Sequence, residues 1–179
     1  MSLVLLTAPS GLGKTTVCQA LASTAQQQGW RVQGVLSPPQ WQAGRKHSIH
    51  LHDLATGETR PLAFPALPEH ADIGLWRFVP ETVTWGNRVL AAIRDTDLLV
   101  IDEIGPLELL RGQGLQAAFP TVQQAHYRLA VVTVRPELAA LLAQIWRVRD
   151  PDIITLTTEN RDHLHRELAN RLASTFSDV

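Results

Sequence analysis

The stretch that most constrains the fold is residues 2–16, SLVLLTAPSGLGKTT. Its unbroken apolar run is too short for a helix and reads as a strand buried on both faces. A glycine-spaced loop follows at once and closes in Gly-Lys-Thr-Thr. From Lys14 to about Gln28, Val17, Leu21 and Ala25 recur at helical spacing, and Gly29 is placed to stop that helix. Strand, loop and helix in this order match the pattern G-x-x-x-x-G-K-[ST], which cradles phosphate on backbone N–H groups at a helix N-terminus. The pattern's first glycine is Ala8 here. That position only turns the strand into the loop, so a methyl group is tolerable while its φ stays negative.

The expected nucleotide cradle comprises Ala8, Pro9, Ser10, Gly11, Leu12, Gly13, Lys14, Thr15 and Thr16. Gly11 and Gly13 let the main chain approach the phosphates without Cβ interference. Lys14 offers a compact ammonium to the β- and γ-phosphates and is a catalytic candidate. The Thr15 hydroxyl is the expected direct ligand of Mg²⁺, and Thr16 is placed to bond the α-phosphate.

A magnesium nucleotide needs a carboxylate at the tip of a neighbouring buried strand, and LLVIDEIG (98–105) fits. Asp102 is expected to hold the metal through water, and Glu103 to orient and deprotonate an attacking water. A lone aspartate would suit binding or transfer to an acceptor; Asp-Glu is the arrangement of hydrolysing enzymes. Thr133 ends the strand expected beside Asp102, so its hydroxyl is a candidate sensor of the γ-phosphate. Arg135 is the in-chain candidate for stabilising the transition state; the plainer reading is a surface residue ahead of Pro136. Arg45 and Lys46, near a predicted hairpin tip, are the runner-up pair, able to fold over the phosphates as a lid.

The rest of the chain alternates strand and helix. WRVQGVLS reads as a second strand, broken by Pro38-Pro39. Residues 40–62 alternate with period two around the turn ATGE, as a β-hairpin excursion outside the core sheet. IGLWRFV offers a short strand, and a helix is expected from Glu81 to Arg94 with Val83, Val89, Leu90 and Ile93 on its apolar stripe. Then come a strand at 97–102, a helix over 112–127 kinked or interrupted by Pro120, and the strand RLAVVTV. A helix at 136–147, the strand DIITLT and a last helix at 159–175 complete the pattern. It predicts an α/β sandwich with a mostly parallel sheet in one domain spanning 1–179, with neither repeats nor linkers.

Composition narrows the partners. The 179 residues are 45% hydrophobic and 18% charged with a net charge of −1, which leaves no general footprint for nucleic acid or an acidic membrane. No stretch approaches the roughly 20 apolar residues of a membrane span. The one cysteine, Cys18, is expected to be a small buried side chain. A cytoplasmic protein is the expectation, its protein partners open.

With these residues in place, the chain resembles the small P-loop nucleoside-triphosphatase family that includes the thermophilic and cancer-related nucleoside-triphosphatases. The likeness runs over nearly the whole length, through the phosphate loop, GVLSPP, HDLATGETRPLA, LLVIDEIGPLEL and TTENRDHL. It implies the P-loop three-layer αβα sandwich, and Mg²⁺-supported hydrolysis of triphosphates to diphosphate and phosphate, slow and with loose base preference. It implies nucleotide contacts from residues 8–15 and 98–105. The lysine that often follows IDEIG is Pro106 here, with Arg111 a possible replacement.

Several features admit plainer readings. His47, His50 and His52 lack a completing acid or cysteine and read as solvated hairpin side chains. Trp30, Trp76 and Trp146 are expected in or beside the core, and Trp41 at the surface, free to stack on a base. Asn160 and Arg161 read equally as a helix start or as neighbours of the base. Two other functions share the same residues. A nucleotide or nucleoside kinase would need an arginine-lined acceptor pocket built from residues 40–80. A nucleotide-dependent binding module would use the hairpin for docking.

Overall fold

The apolar runs at 2–6, 98–101 and 129–132 explain the centre of the molecule, because alternate residues of a strand point to opposite faces. Leu3, Leu5, Leu99, Ile101, Ala130 and Val132 are buried on one side of a sheet. Val4, Leu6, Leu98, Val100, Leu129 and Val131 are buried on the other. Each leucine or valine so covered stabilises the fold by roughly 1.5–3 kcal/mol. An uninterrupted run therefore signals helices on both faces.

The computed structural model describes residues 1–174. The chain runs β1 (Ser2–Thr7), α1 (Lys14–Gln27), β2 (Val32–Leu36), β3 (Pro39–Gln42), β4 (Arg45–Asp53), β5 (Thr59–Pro65) and β6 (Trp76–Phe78). It continues through α2 (Pro80–Ala92), β7 (Asp95–Ile104), α3 (Pro106–Arg111), α4 (Ala118–Gln124), β8 (His126–Val134), α5 (Pro136–Ile145), β9 (Asp152–Thr155) and α6 (Leu164–Ser174). The sheet order is β6-β5-β4-β2-β7-β8-β1-β9, with β3 paired outside that path to β4. The strands β2, β7, β8, β1 and β9 are mutually parallel. Helices α1 and α6 cover one face, while residues of α2, α4 and α5 pack on the other. The result is the three-layer αβα sandwich with the phosphate loop at its expected place, between β1 and α1. No helix among the described residues is long and apolar enough to cross a membrane.

Four details differ from the expected pattern. The hairpin region is part of the main sheet. Strand β4 pairs antiparallel with β2 through Val35↔Asp53 and Leu36↔His52, and β5 and β6 extend the sheet to Phe78. Its period-two alternation marks a strand with one open face, which is compatible with membership of the core sheet. Pro120 kinks nothing, because it lies in the first turn of α4, where its missing N–H has no intrahelical partner to lose. The helix expected over 112–127 is only α4, and PLELLR before it forms the separate α3. The last helix starts at Leu164 because Asn160 organises a turn ahead of it, accepting from Thr157 N–H at 2.8 Å and donating to Thr155 O at 2.9 Å. Residue 175, its expected end, lies outside the described residues. On α2, Trp85, Gly86 and Leu90 are buried, while Val83 and Val89 are only partly covered.

Gly34 marks the seam where the parallel and antiparallel parts of the sheet meet. Its φ is +120°, and a Cβ there would fall 1.9 Å from the Val100 carbonyl oxygen. Only glycine allows β2 to approach β7 this closely. Cys18 and Trp146 are fully buried, whereas Trp41 is 65% exposed. Trp30 is only partly buried, under the Arg128 guanidinium.

Candidate active site

The loop between β1 and α1 has the conformation its glycines permit. Gly11 and Gly13 stand at φ +83° and +109°, in the left-handed region that L side chains avoid. Ala8 keeps a negative φ, and its methyl is buried in the core under α1, as the tolerance of this position required. Leu12 packs against the same core. Pro9 is exposed on the loop, and Ser10 and Thr16 are exposed in the lining of the cleft beside it. Lys14 arches back over the loop and donates from Nζ to Ala8 O at 2.8 Å. Burial lowers its pKa, with the Glu103 and Asp102 carboxylates opposing that shift.

The two acids lie at the tip of β7, where its pairing with β8 is irregular. Ile101 pairs with Val132 and Ile104 with Val134, so Asp102 and Glu103 together stand opposite Thr133 alone. This is a β-bulge, a device that re-aims a side chain at the end of a strand. Glu103 takes the extra step with φ +71°, at a strain of about 1–2 kcal/mol for a residue with a Cβ. The Thr133 hydroxyl holds the bulge together. It accepts the Glu103 N–H at 2.7 Å and donates to Asp102 Oδ1 at 2.8 Å. Expected at the terminal phosphate, it is instead fully buried between the two acids, because the bulge leaves both of them needing its single oxygen.

Asp102 is 1% exposed. Burial pushes its carboxyl above the ordinary aspartate range, and three donors pull the other way: Ser37 N–H, the Thr15 hydroxyl and the Thr133 hydroxyl. The Ser37 N–H reaches Oδ2 at 3.1 Å. Ser37 was not legible as a site residue, since a serine after a strand carries no pattern of its own. Glu103 is half-exposed and faces Arg135, with Nε 3.6 Å from Oε1. Thr15 and Asp102 thus place a hydroxyl and a carboxylate side by side, hard oxygen ligands of the kind Mg²⁺ prefers. The donor set fits that ion.

These groups line a cleft of about 520 Å³. The phosphate loop, Thr15, Asp102 and Glu103 form one wall. Pro38, Pro39, Trp41, Lys46 and Ile49 form the other. Behind Glu103 lies a second chamber of about 60 Å³, lined mainly by apolar side chains including Ile49, Leu62, Phe78 and Leu107. Arg135 is the one arginine in its lining.

Some candidates lie elsewhere. Arg45 is exposed at the hairpin turn, outside the cleft lining. Arg111 donates to the Asp72 carbonyl, away from the phosphate loop, so it does not stand in for a lysine at Pro106. Pro106 opens α3 as its first residue. Asn160 builds its turn, and Arg161 pairs with Asp162 at 3.3 Å. His52 shares a 2.8 Å hydrogen bond with Thr59, and no cluster of three metal-binding side chains occurs among the described residues. Glu108 supports the segment after the acids. Its carboxylate accepts Gly105 N–H at 3.0 Å and Leu115 N–H at 3.1 Å. The signal that could have found it is a glutamate three residues after a helix N-cap.

A family model described as NTPase matches residues 3–169. The nucleoside-triphosphatase THEP1 of Thermofilum pendens is 30% identical over 172 residues, covering 95% of this chain and 94% of that protein. The protein of the same name from Saccharolobus solfataricus is 28% identical over 177 residues, covering 97% and 94%. The solution structure of a human cancer-related nucleoside triphosphatase superposes with a TM-score of 0.77 at 25% identity, covering 97% of this chain and 98% of that one. The chain belongs to the NTPase family.

Proposed function

We propose that this member of the NTPase family is a Mg²⁺-dependent hydrolase that cuts nucleoside triphosphates to diphosphate and phosphate. The observation that carries the reading is Glu103, projected by its bulge into the cleft that holds Lys14, with a water-scale apolar chamber behind it. A kinase acceptor would need room and arginines beside the terminal phosphate; the chamber itself offers about 60 Å³ and Arg135, and Arg77 lines the pocket that adjoins it.

Backbone N–H groups of residues 10–15 and the Lys14 ammonium hold the phosphates, Lys14 leaving the Ala8 carbonyl to do so. Thr15, and Asp102 through water, would hold Mg²⁺, which when bound neutralises charge on the β- and γ-phosphates. Glu103 accepts a proton as water forms a bond to the γ-phosphorus. The bond from that phosphorus to the β–γ bridging oxygen breaks, and the diphosphate leaves with the electron pair. Lys14 and the loop N–H groups meet the charge that develops on the bridging oxygen. Arg135, released from Glu103, is placed to meet charge on the departing phosphoryl group. Thr133 serves by fixing Asp102 and Glu103.

Slow turnover suits a resting state in which Lys14 and Arg135 are both engaged within the protein. Loose base preference agrees with relatives named for nucleoside triphosphates as a class. A cytoplasmic location belongs to the same proposal, supported by a single cysteine that is fully buried.

The test is steady-state turnover of ATP, GTP, CTP and UTP, with Mg²⁺ and with chelator, for the unmodified chain, Glu103→Gln and Lys14→Ala. Glu103→Gln is expected to lose about 100-fold in kcat or more while still binding nucleotide. Lys14→Ala is expected to lose binding itself. Equal turnover by Glu103→Gln and the unmodified chain would falsify the assignment.

A further inference from the structure

The β3–β4 hairpin forms a wall of the phosphate cleft, yet none of the groups assigned so far comes from it. Its turn residues, Ala43 and Gly44, have φ of 48° and 74°, the geometry of a tight two-residue hairpin. Trp41 pairs across the strands with Lys46. Directly opposed residues project from the same face, and both line the cleft opposite the phosphate loop. The register shifts beside this pair, Gln40 facing Ser48 and Trp41 facing Lys46, so His47 is an extra residue. That bulge takes Lys46 off the face on which Ser48 is buried.

The cations around the cleft differ in what holds them. Lys14 is bonded to the Ala8 carbonyl and Arg135 is paired with Glu103. The Lys46 ammonium sits 5.6 Å from the Trp76 ring centroid, and it forms no carboxylate pair among the described residues. A cation over a ring at the surface is weakly held, and a flexible four-carbon stem lets it exchange that contact for an anion. The position along the cleft is informative too. Ile49, on the same strand, lines both the cleft and the chamber behind Glu103. This wall therefore stands at the end where the terminal phosphate and its attacking water belong.

We propose that Lys46 is a further catalytic residue: its ammonium contacts the terminal phosphate of a bound triphosphate, and Trp41 beside it shields that contact from solvent. The inference rests on the reading of the cleft as a triphosphate site. It distinguishes triphosphate from diphosphate, because only the former places an anion within the hairpin's reach.

The experiment compares the full chain with Lys46→Gln and Lys46→Arg. It measures kcat and KM for ATP and GTP, and calorimetric affinities for a non-hydrolysable triphosphate analogue and for the diphosphate. Lys46→Gln is expected to lower kcat/KM about 10-fold or more and to weaken the analogue severalfold, with diphosphate affinity unchanged. Lys46→Arg is expected to recover part of both losses. Thermal melting checks that each variant is folded, and the arginine variant preserves the test if the glutamine one is not. An unchanged ratio of triphosphate to diphosphate affinity in Lys46→Gln overturns the inference, as does equal weakening of both ligands. An unmodified chain that binds triphosphate without hydrolysing it would sink the hydrolase reading, while the affinity ratio would still decide the role of Lys46.

Discussion

Strands β7 and β4 lie two places apart in one sheet and meet their surroundings differently. From Leu98 to Asp102 every residue of β7 is buried, whereas β4 mixes buried Ser48, Leu51 and Asp53 with exposed or half-covered neighbours. Helices sandwich the first strand, and a cleft opens on one side of the second. Each strand carries chemistry suited to its setting. A strand fixed on both faces holds Asp102 and Glu103 in position, the two acids sharing one threonine hydroxyl. A strand open on one face presents Lys46, whose side chain has room to reposition. The parallel part of the sheet supplies the fixed acids, and the antiparallel part supplies a cation free to reposition.

The largest expected effect falls on the seam between them. Gly34→Ala places a methyl group against the Val100 carbonyl at a positive φ, so it should destabilise the fold by more than about 3 kcal/mol. Chemical denaturation measures this. A loss under about 1 kcal/mol would mean that β2 and β7 can part without disturbing the rest, so that no seam separates the two parts of the sheet.

A smaller effect tests the fixed part alone. Thr133→Val keeps the shape but removes the oxygen shared by Asp102 and Glu103, leaving a buried donor without its partner, at about 1–3 kcal/mol. The expected kinetic signature is a fall in kcat larger than any change in KM, with Thr133→Ser close to the unmodified protein. A change confined to KM would instead return the hydroxyl to a substrate-contacting role.

The smallest effect concerns pH. Burial raises the pKa of the Glu108 carboxyl above 4.5, against the pull of the Leu115 and Gly105 N–H groups. A carboxyl harder to ionise in the folded state than in the unfolded one binds its proton more tightly when folded. Stability therefore falls as pH rises through the window just above the ordinary glutamate value. Glu108→Gln removes that slope. The advantage of the unmodified protein over the variant should shrink between acidic and neutral pH. Denaturation midpoints at several pH values measure it, and parallel pH profiles would place the slope elsewhere in the molecule.

What could be read from the residues follows the same division. Apolar runs such as LLVI, and a loop with fixed glycine and lysine spacing, are local patterns, so the parallel strands and the phosphate loop were legible. The pairing of β4 with β2 was not, because alternation reports how many faces are covered and is silent about the neighbour. The six residues of α3 are too few to show a helical period. The bulge at Glu103 depends on Thr133, thirty residues away in sequence, and no local pattern marks it. Arg111 is near the missing lysine in sequence, but the fold sets its guanidinium on the Asp72 carbonyl.

The left-handed backbone at position 103 has an evolutionary consequence. Glycine or asparagine would occupy that conformation with less strain than glutamate, yet neither can take a proton from water. Selection for stability and selection for turnover therefore pull this one site in opposite directions. With Glu103 acting as proposed, drift toward the relaxed residue would leave a protein that grips its nucleotide without cutting it. In such a descendant the loss of catalysis would come with no folding defect to expose it.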